Sequence, residues 1–400
     1  MVRMDNLFTD LTLKKLNLYA IHALVFLLSF QERFVSVALV FFLVLNLFSV
    51  RWQIRKHYFI KRRKYILSFI SLYLMSLVGM LYTLNISEGL FDLEVKLSIL
   101  LVPIFVLSSN IINKFNVYAI IKSFIWGVSL SLALQYVIAT LKFYEFGNTE
   151  VFFYALFSYF HHPSYFSMYT NFAIASLLVL IFHYRNRPQL RHFVLLGFLV
   201  VSVYQLSSRA GLLTLLALLG YAFVYIIFPR LKWKKLLYAL LGTLLLSVAV
   251  IYPVAKYTDT IRMVDVTTNK SSSGVRLAMW KSFVPLIKDN PVLGVGTGDV
   301  NRELQKRFAA DRIVRAVRDN LNAHNQFIQT QGALGLLGTA CLLWGLLFPT
   351  WVSIRKGRIL MPLFVGILII NFLTESMLNT QAGVIYLALL NSVVFFTYED

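Results

Sequence analysis

Three side chains stand apart from the apolar sequence around them: Arg209, Arg276 and His324. Arg209 lies in Ser207-Ser208-Arg209-Ala210-Gly211, at the end of an apolar run. Arg276 opens Arg276-Leu-Ala-Met-Trp280, which is followed by Asn290-Pro-Val-Leu-Gly-Val-Gly. His324 begins His324-Asn325-Gln-Phe, at the mouth of another apolar run with glycines at 332, 335 and 338. A guanidinium binds phosphate oxygens in pairs and keeps its charge at any physiological pH. An imidazole can take a proton near neutrality. Two fixed arginines, a histidine and the free amides of a helix start make a receptor for a membrane-tethered anion, and a diphosphate fits it best. In such a set the arginines, with Ser208 beside them, stabilise charge on a leaving diphosphate while His324 activates a hydroxyl.

Each residue also has a plainer reading. Arg209 can snorkel from the end of its span. His324 can be an interfacial polar residue, with Asn320 or Asn322 as the cap of the following helix. The glycines at 332, 335 and 338 mark a close-packed helix face. Weaker candidates are Asn325, the adjacent His161 and His162, and Glu375, which can pair with one of the arginines. No metal is expected, because neither His-x-x-His spacing nor a carboxylate cluster occurs in this stretch. The turn 290–299 tempts a nucleotide reading, but it lacks Gly-Lys-Ser/Thr and has no strand before it. A tight turn that lets backbone approach closely suits it better.

The positioning scaffold is written in the composition. Of 400 residues 58% are hydrophobic and only 14% charged, against roughly 25% charged in ordinary soluble domains. The deficit runs the whole length, so the chain reads as an all-α polytopic membrane protein. The net charge of +20 does not point to nucleic acid, because Lys and Arg cluster between apolar runs as orientation signals do. Seven of them crowd 51–64. Cys341 is the single cysteine, so no intrachain disulfide can form.

Apolar runs at about 18–31, 34–50, 65–84, 92–109, 117–141, 164–183, 193–206, 212–228, 236–252, 325–351, 359–374 and 383–397 predict about 12 transmembrane helices. The fourth is atypical, with Asp92, Glu94 and Lys96 in its first turn. Basic clusters at 51–64, 183–192, 229–235 and 353–358 put both termini inside. The organisation expected is spans 1–9 over 1–252, one long outer loop over 253–323 between spans 9 and 10, and the last three spans over 324–400. Within the loop, Arg276 falls on an amphipathic helix that Pro285 should kink or end. Residues 300–320 read as a second helix whose Arg302, Lys306, Arg312 and Arg315 face solvent.

These motifs resemble the O-antigen ligase and polymerase superfamily of polytopic bacterial proteins. The resemblance rests on Ser-Ser-Arg-Ala-Gly at 207–211, on Arg276–Trp280 with Asn290-Pro-Val-Leu-Gly-Val-Gly, and on His324-Asn-Gln-Phe with its glycines. It implies an inner-membrane, metal-independent and cofactor-free glycosyltransferase of inverting type. The donor would be an undecaprenyl-diphosphate-linked glycan and the acceptor lipid A–core or a similar surface glycan. Arg209, Arg276 and His324 then match the essential arginines and histidine, with catalysis outside the membrane. A polymerase using the same donor is the alternative, and a glycolipid transporter is a second. The transporter reading predicts internal symmetry and charges at the midplane of several spans, whereas the charges here gather at span ends.

Overall fold

A computed structural model describes residues 2–184, 188–222, 224 and 272–399. Secondary structure among these is helical, without strands. In order, the principal helices are α1 (Val2–Leu27), α2 (Glu32–Ser49), α3 (Trp52–Met80), α4 (Ile86–Leu107), α5 (Val117–Phe146), α6 (Pro163–Val179), α7 (Leu190–Leu206) and α8 (Arg209–Ala222). After 272 come α9 (Ser272–Asp289), α10 (Val300–Ala310), α11 (Val314–Arg318), α12 (Gln326–Arg355), α13 (Leu360–Phe372) and α14 (Gln381–Phe395). The expected ninth span at 236–252, the basic cluster at 229–235 and the loop's opening at 253–271 lie outside the described residues.

Four helices among these residues are long and apolar enough to cross a membrane: Glu32–Ser49, Val117–Phe146, Pro163–Tyr184 and Gln326–Arg355. Four shorter apolar helices accompany them: α7, α8, α13 and α14. What each helix buries explains its composition. Helix α6 is apolar all round and almost wholly enclosed, as a central helix must be. Around it, Tyr169 donates to the Ala382 carbonyl at 2.9 Å and stacks on Tyr386 with ring centroids 4.5 Å apart. Asn171 donates to the Gly211 carbonyl at 2.9 Å. Helix α2 is the opposite case: Phe34, Val37, Phe41, Val44 and Phe48 form an exposed stripe at helical spacing. In water that stripe would be a sticky patch; against lipid it needs no cover.

The two ends of the bundle differ in chemistry. At one end α3 carries the basic segment 51–64, and Arg62 meets Glu399. At the other end the turns 81–85, 290–301, 322–325 and 373–380 converge. There the Asp299 carboxylate accepts from the Leu84 and Asn85 amides at 2.6 and 3.0 Å, and Asn325 reaches the Leu373 carbonyl.

Several local expectations are corrected. Helix α9 does not end at Pro285 but runs on to Asp289. A proline deletes one helical donor and crowds one carbonyl, and burial of Phe283 and Leu286 on either side holds the turn. Residues 300–320 are two helices, α10 and α11, broken where Arg312 adopts a left-handed φ of 55°. Helix α12 is interrupted at Gly335, whose φ is 62° and ψ −159°. The glycine pattern 332–335–338 therefore serves a break in the helix as well as close packing.

Candidate active site

Each motif earns its shape from backbone groups that must be satisfied away from water. The interruption at Gly335 frees the carbonyls of Gly332 and Ala333 and the amides of Leu336 and Leu337 from their helical partners. The loop 291–296 takes up all four. Val295 and Gly296 donate to Gly332 and Ala333 at 3.0 Å each, while Leu336 and Leu337 donate to Pro291 and Val292 at 2.9 and 3.3 Å. A broken helix at membrane depth is tolerated only when its freed groups are paired this way. A Cβ on Gly335 would lie 2.2 Å from the Val292 carbonyl oxygen, so glycine is needed there. Asn290-Pro-Val-Leu-Gly-Val-Gly is thus a docking loop. It ties the end of α9 to the interior of α12.

That docking brings Arg276 and His324 together, because one sits on α9 and the other precedes α12. Helix α9 buries Val275, Met279, Phe283 and Leu286, a stripe at helical spacing. Trp280, one turn beyond Arg276, donates its indole N–H to the Ala323 carbonyl at 2.9 Å. The sequence offered Trp280 only as the end of the Arg276–Trp280 motif, with no role of its own. Its indole N–H, which needs a partner when buried, was the overlooked signal.

His324 lies before α12, not in its first turn. The cap is Asn325, whose side chain accepts from the Ile328 amide at 3.1 Å, rather than Asn320 or Asn322. Asn322 instead accepts from the His324 amide at 2.9 Å and steadies a left-handed φ of 45° at His324. Such a φ is strained for a side-chain-bearing residue.

Glu375 joins the two. One carboxylate oxygen accepts from the Arg276 Nη2 at 2.8 Å, and the other lies 2.7 Å from the His324 Nδ1. Glu375 is largely buried, Arg276 and His324 about a quarter exposed. Burial alone would push the Glu375 carboxyl up. The hydrogen bond from His324 and the charges of His324, Arg276 and His162 outweigh it and hold the group below its ordinary range. A carboxylate can only accept, so the His324 Nδ1 carries the proton in this contact, and in the neutral imidazole Nε2 keeps its lone pair.

The other candidates divide. His162 caps α6, its Nδ1 accepting from the Ser164 amide at 3.4 Å. It belongs to the same electrostatic neighbourhood: burial lowers its pKa most, Glu375 raises it, and His324 and Arg276 lower it again. His161 is not with them. It is buried against Tyr169, with ring centroids 5.3 Å apart, and burial pushes it down to about 4. Ser208 is buried and caps α8, accepting from the Gly211 amide at 3.3 Å. Ser207 ends α7 with a left-handed φ of 47°. Arg209 is the first residue of α8 and is exposed. Helix α8 starts at the same end as His162, since a Cβ on Gly211 would lie 2.4 Å from the Ser167 side chain, one turn into α6. Among the described residues no three His, Cys, Asp or Glu side chains gather in a metal-ligand cluster.

Residues 194–343 match the protein-family model described as O-antigen ligase. Over that stretch the chain is similar to the O-antigen ligase family. The matched stretch holds Arg209, Arg276 and His324 and ends before Glu375. An uncharacterized protein of Haemophilus influenzae is 20% identical over 194 residues, which is 45% of this chain and 48% of that protein. The chain thus spans about half the length of the curated relative it matches. The apolar helices, four of them long enough to cross a bilayer, fit a membrane protein, as does the similarity of this stretch to the O-antigen ligase model.

Proposed function

We propose that this ligase-like protein transfers a glycan from undecaprenyl diphosphate to an acceptor hydroxyl on the outer face of the inner membrane, with inversion and without a metal. The observation that carries the reading is the contact chain from Arg276 through Glu375 to His324. The His324 Nε2 takes the proton of the acceptor hydroxyl as its oxygen attacks the anomeric carbon. The bond from that carbon to the diphosphate breaks on the opposite face, and the leaving diphosphate keeps the electron pair. Arg276 meets the resulting charge. Glu375 uses one face of its guanidinium, and the remaining N–H donors are suited to phosphate oxygens. Arg209, at the start of α8, is the second cation of the diphosphate site. Glu375 is a positioning residue that fixes the tautomer of His324. The donor's lipid tail rests among the spans, which is why the scaffold is polytopic.

The same reading has 12 spans with both termini inside, a membrane-embedded body over 1–252 and 324–400, and catalytic elements on the outer loop 253–323. The preferred acceptor is lipid A–core or a similar glycan; a polymerase differs only in taking a growing glycan. The test is transfer by purified protein with a lipid-diphosphate glycan and each acceptor in turn, in the presence of EDTA. Transfer to at least one acceptor is expected. No transfer to either, or transfer abolished by the chelator and restored by a divalent ion, would contradict the proposal. Thiol labelling at Ser272→Cys and His57→Cys, in a Cys341→Ser background, checks that 272 faces out and 57 faces in.

A further inference from the structure

Next to the His324–Glu375 turns lies a cavity of about 90 Å³ that the reaction above does not use. That volume holds a few waters, so it can take the hydroxyl-bearing edge of a sugar ring while the rest of the ring lies at the mouth, beside Phe91. Its lining includes Phe91, Asp92 and Lys96 of α4, with Asn301, Thr330 and Asn379 opposite. Gln326 and Gln329 of α12 line it too, and they connect it to the site: Gln329 accepts from the Ala323 amide at 3.1 Å and Gln326 from the Leu378 amide at 2.7 Å. The cavity wall and the turns that hold His324 and Glu375 are one hydrogen-bonded unit.

The Lys96–Asp92 pair is the feature that asks for an explanation. Lys96 lies well inside α4, is 8% exposed, and contacts both Asp92 oxygens at 2.8 and 2.6 Å. Hydrophobic replacement of a buried ion pair is often neutral or stabilising, and ionisable groups inside membrane helices mark function by default. The pair leaves the pocket with matched donors and acceptors and little net charge, next to neutral amide and hydroxyl side chains. Phe91 adds an exposed ring at the rim. Neutral hydrogen-bonding groups beside an aromatic face suit a sugar, whose hydroxyls need partners and whose C–H face is apolar. An acidic sugar suits it less, since Glu88 also lines the cavity.

We infer that this cavity receives the hydroxyl-bearing edge of one neutral sugar ring of the glycan substrate, with Lys96, Asp92 and the amides on its hydroxyls and the exposed Phe91 against its C–H face at the mouth. The inference rests on the glycan-transfer reading but concerns separate residues. Saturation-transfer NMR on the full chain in nanodiscs, with millimolar glucose, N-acetylglucosamine or glucuronate as probes, reads binding without activity. The two neutral sugars should receive saturation from the parent and from His324→Ala, more strongly than glucuronate. Phe91→Ala, and the double variant Lys96→Met with Asp92→Leu, which orphans neither charge, should weaken that signal roughly tenfold. In the transfer assay the same variants should raise one KM by roughly tenfold; a rise for the donor assigns the ring to the donor glycan, and a rise for the acceptor assigns it to the acceptor. Absence of saturation in the parent, equal saturation in parent and both variants, or unchanged KM for both substrates would overturn the inference. Transfer at the parental rate by His324→Ala, with the pocket variants still raising KM, would instead remove the base assignment and leave the pocket standing.

Discussion

Two arginine–glutamate pairs sit at opposite ends of this bundle, and they are spent differently. Arg62 is 5% exposed. Its Nε and Nη2 face the two oxygens of Glu399, and its Nη1 donates to the Leu107 and Ser109 carbonyls at 2.6 and 2.8 Å. The Tyr58 and Phe396 rings cover the guanidinium, each within 5.0 Å. Four of the five N–H donors of that fork are engaged, and its work is to lock the α3 end, the 107–109 turn and the C-terminal segment together. Arg276 is more exposed, and among the described residues it makes one hydrogen bond, to a carboxylate it shares with His324. The lesson is that residue type does not separate a structural pair from a receptor. The number of donors left over does.

The largest break in this comparison comes at the active end. His324→Ala should lower transfer about 10²–10⁴-fold with donor affinity within a few-fold of the parent and no loss of thermal stability, read on purified protein.

Arg62→Ala should do the reverse. It leaves the largely covered Glu399 with only the distant Lys61 at 3.9 Å and removes the donor to two carbonyls, so stability should fall by about 1–3 kcal/mol, read by denaturation in detergent, while transfer per folded molecule stays near the parent's. A stable Arg62→Ala protein with lost transfer would erase the distinction between the two ends.

Glu375→Gln sharpens the comparison further. The amide keeps the shape and loses the charge, so transfer should drop about 10–100-fold, the worth of one hydrogen bond to a charged group. The pH dependence follows from the depressed carboxyl. A group held below its ordinary value of 4.5 contributes fully above that value and loses its contribution as pH falls through the lower, folded one. The contribution of Glu375 should therefore persist in the parent down to about pH 4.5 and be lost only below it, whereas Glu375→Gln should lack it across the whole range. An identical acid limb in both proteins would remove Glu375 from the account.

Much of the scaffold could be read from residue order alone. Long apolar runs carry their own signal, and the helices at 32–49, 117–146, 163–184 and 326–355 fall where those runs do. Arg276 and His324 were legible as types suited to a diphosphate and a proton. Their meeting was not, because it depends on Glu375, which lies 51 residues beyond His324 and could be given only as a partner for some arginine. The left-handed backbone at His324, the Arg312 break and the interrupted helix at Gly335 were equally hidden. Each is a local cost offset by a tertiary hydrogen bond or a docked loop, and no periodicity announces that. Lys96 was visible only as an oddity of the fourth span; what surrounds it comes from α12 and the 297–301 turn.

The central claim is that Arg276 keeps an open fork for the donor's diphosphate. The direct measurement is the affinity of purified parent, Arg276→Lys and Arg302→Ala proteins for undecaprenyl diphosphate. Lysine keeps the charge and loses the fork, so Arg276→Lys should bind roughly tenfold or more weakly, while Arg302→Ala, on the exposed face of α10, should bind as the parent does. Equal affinity of Arg276→Lys and the parent would contradict the account.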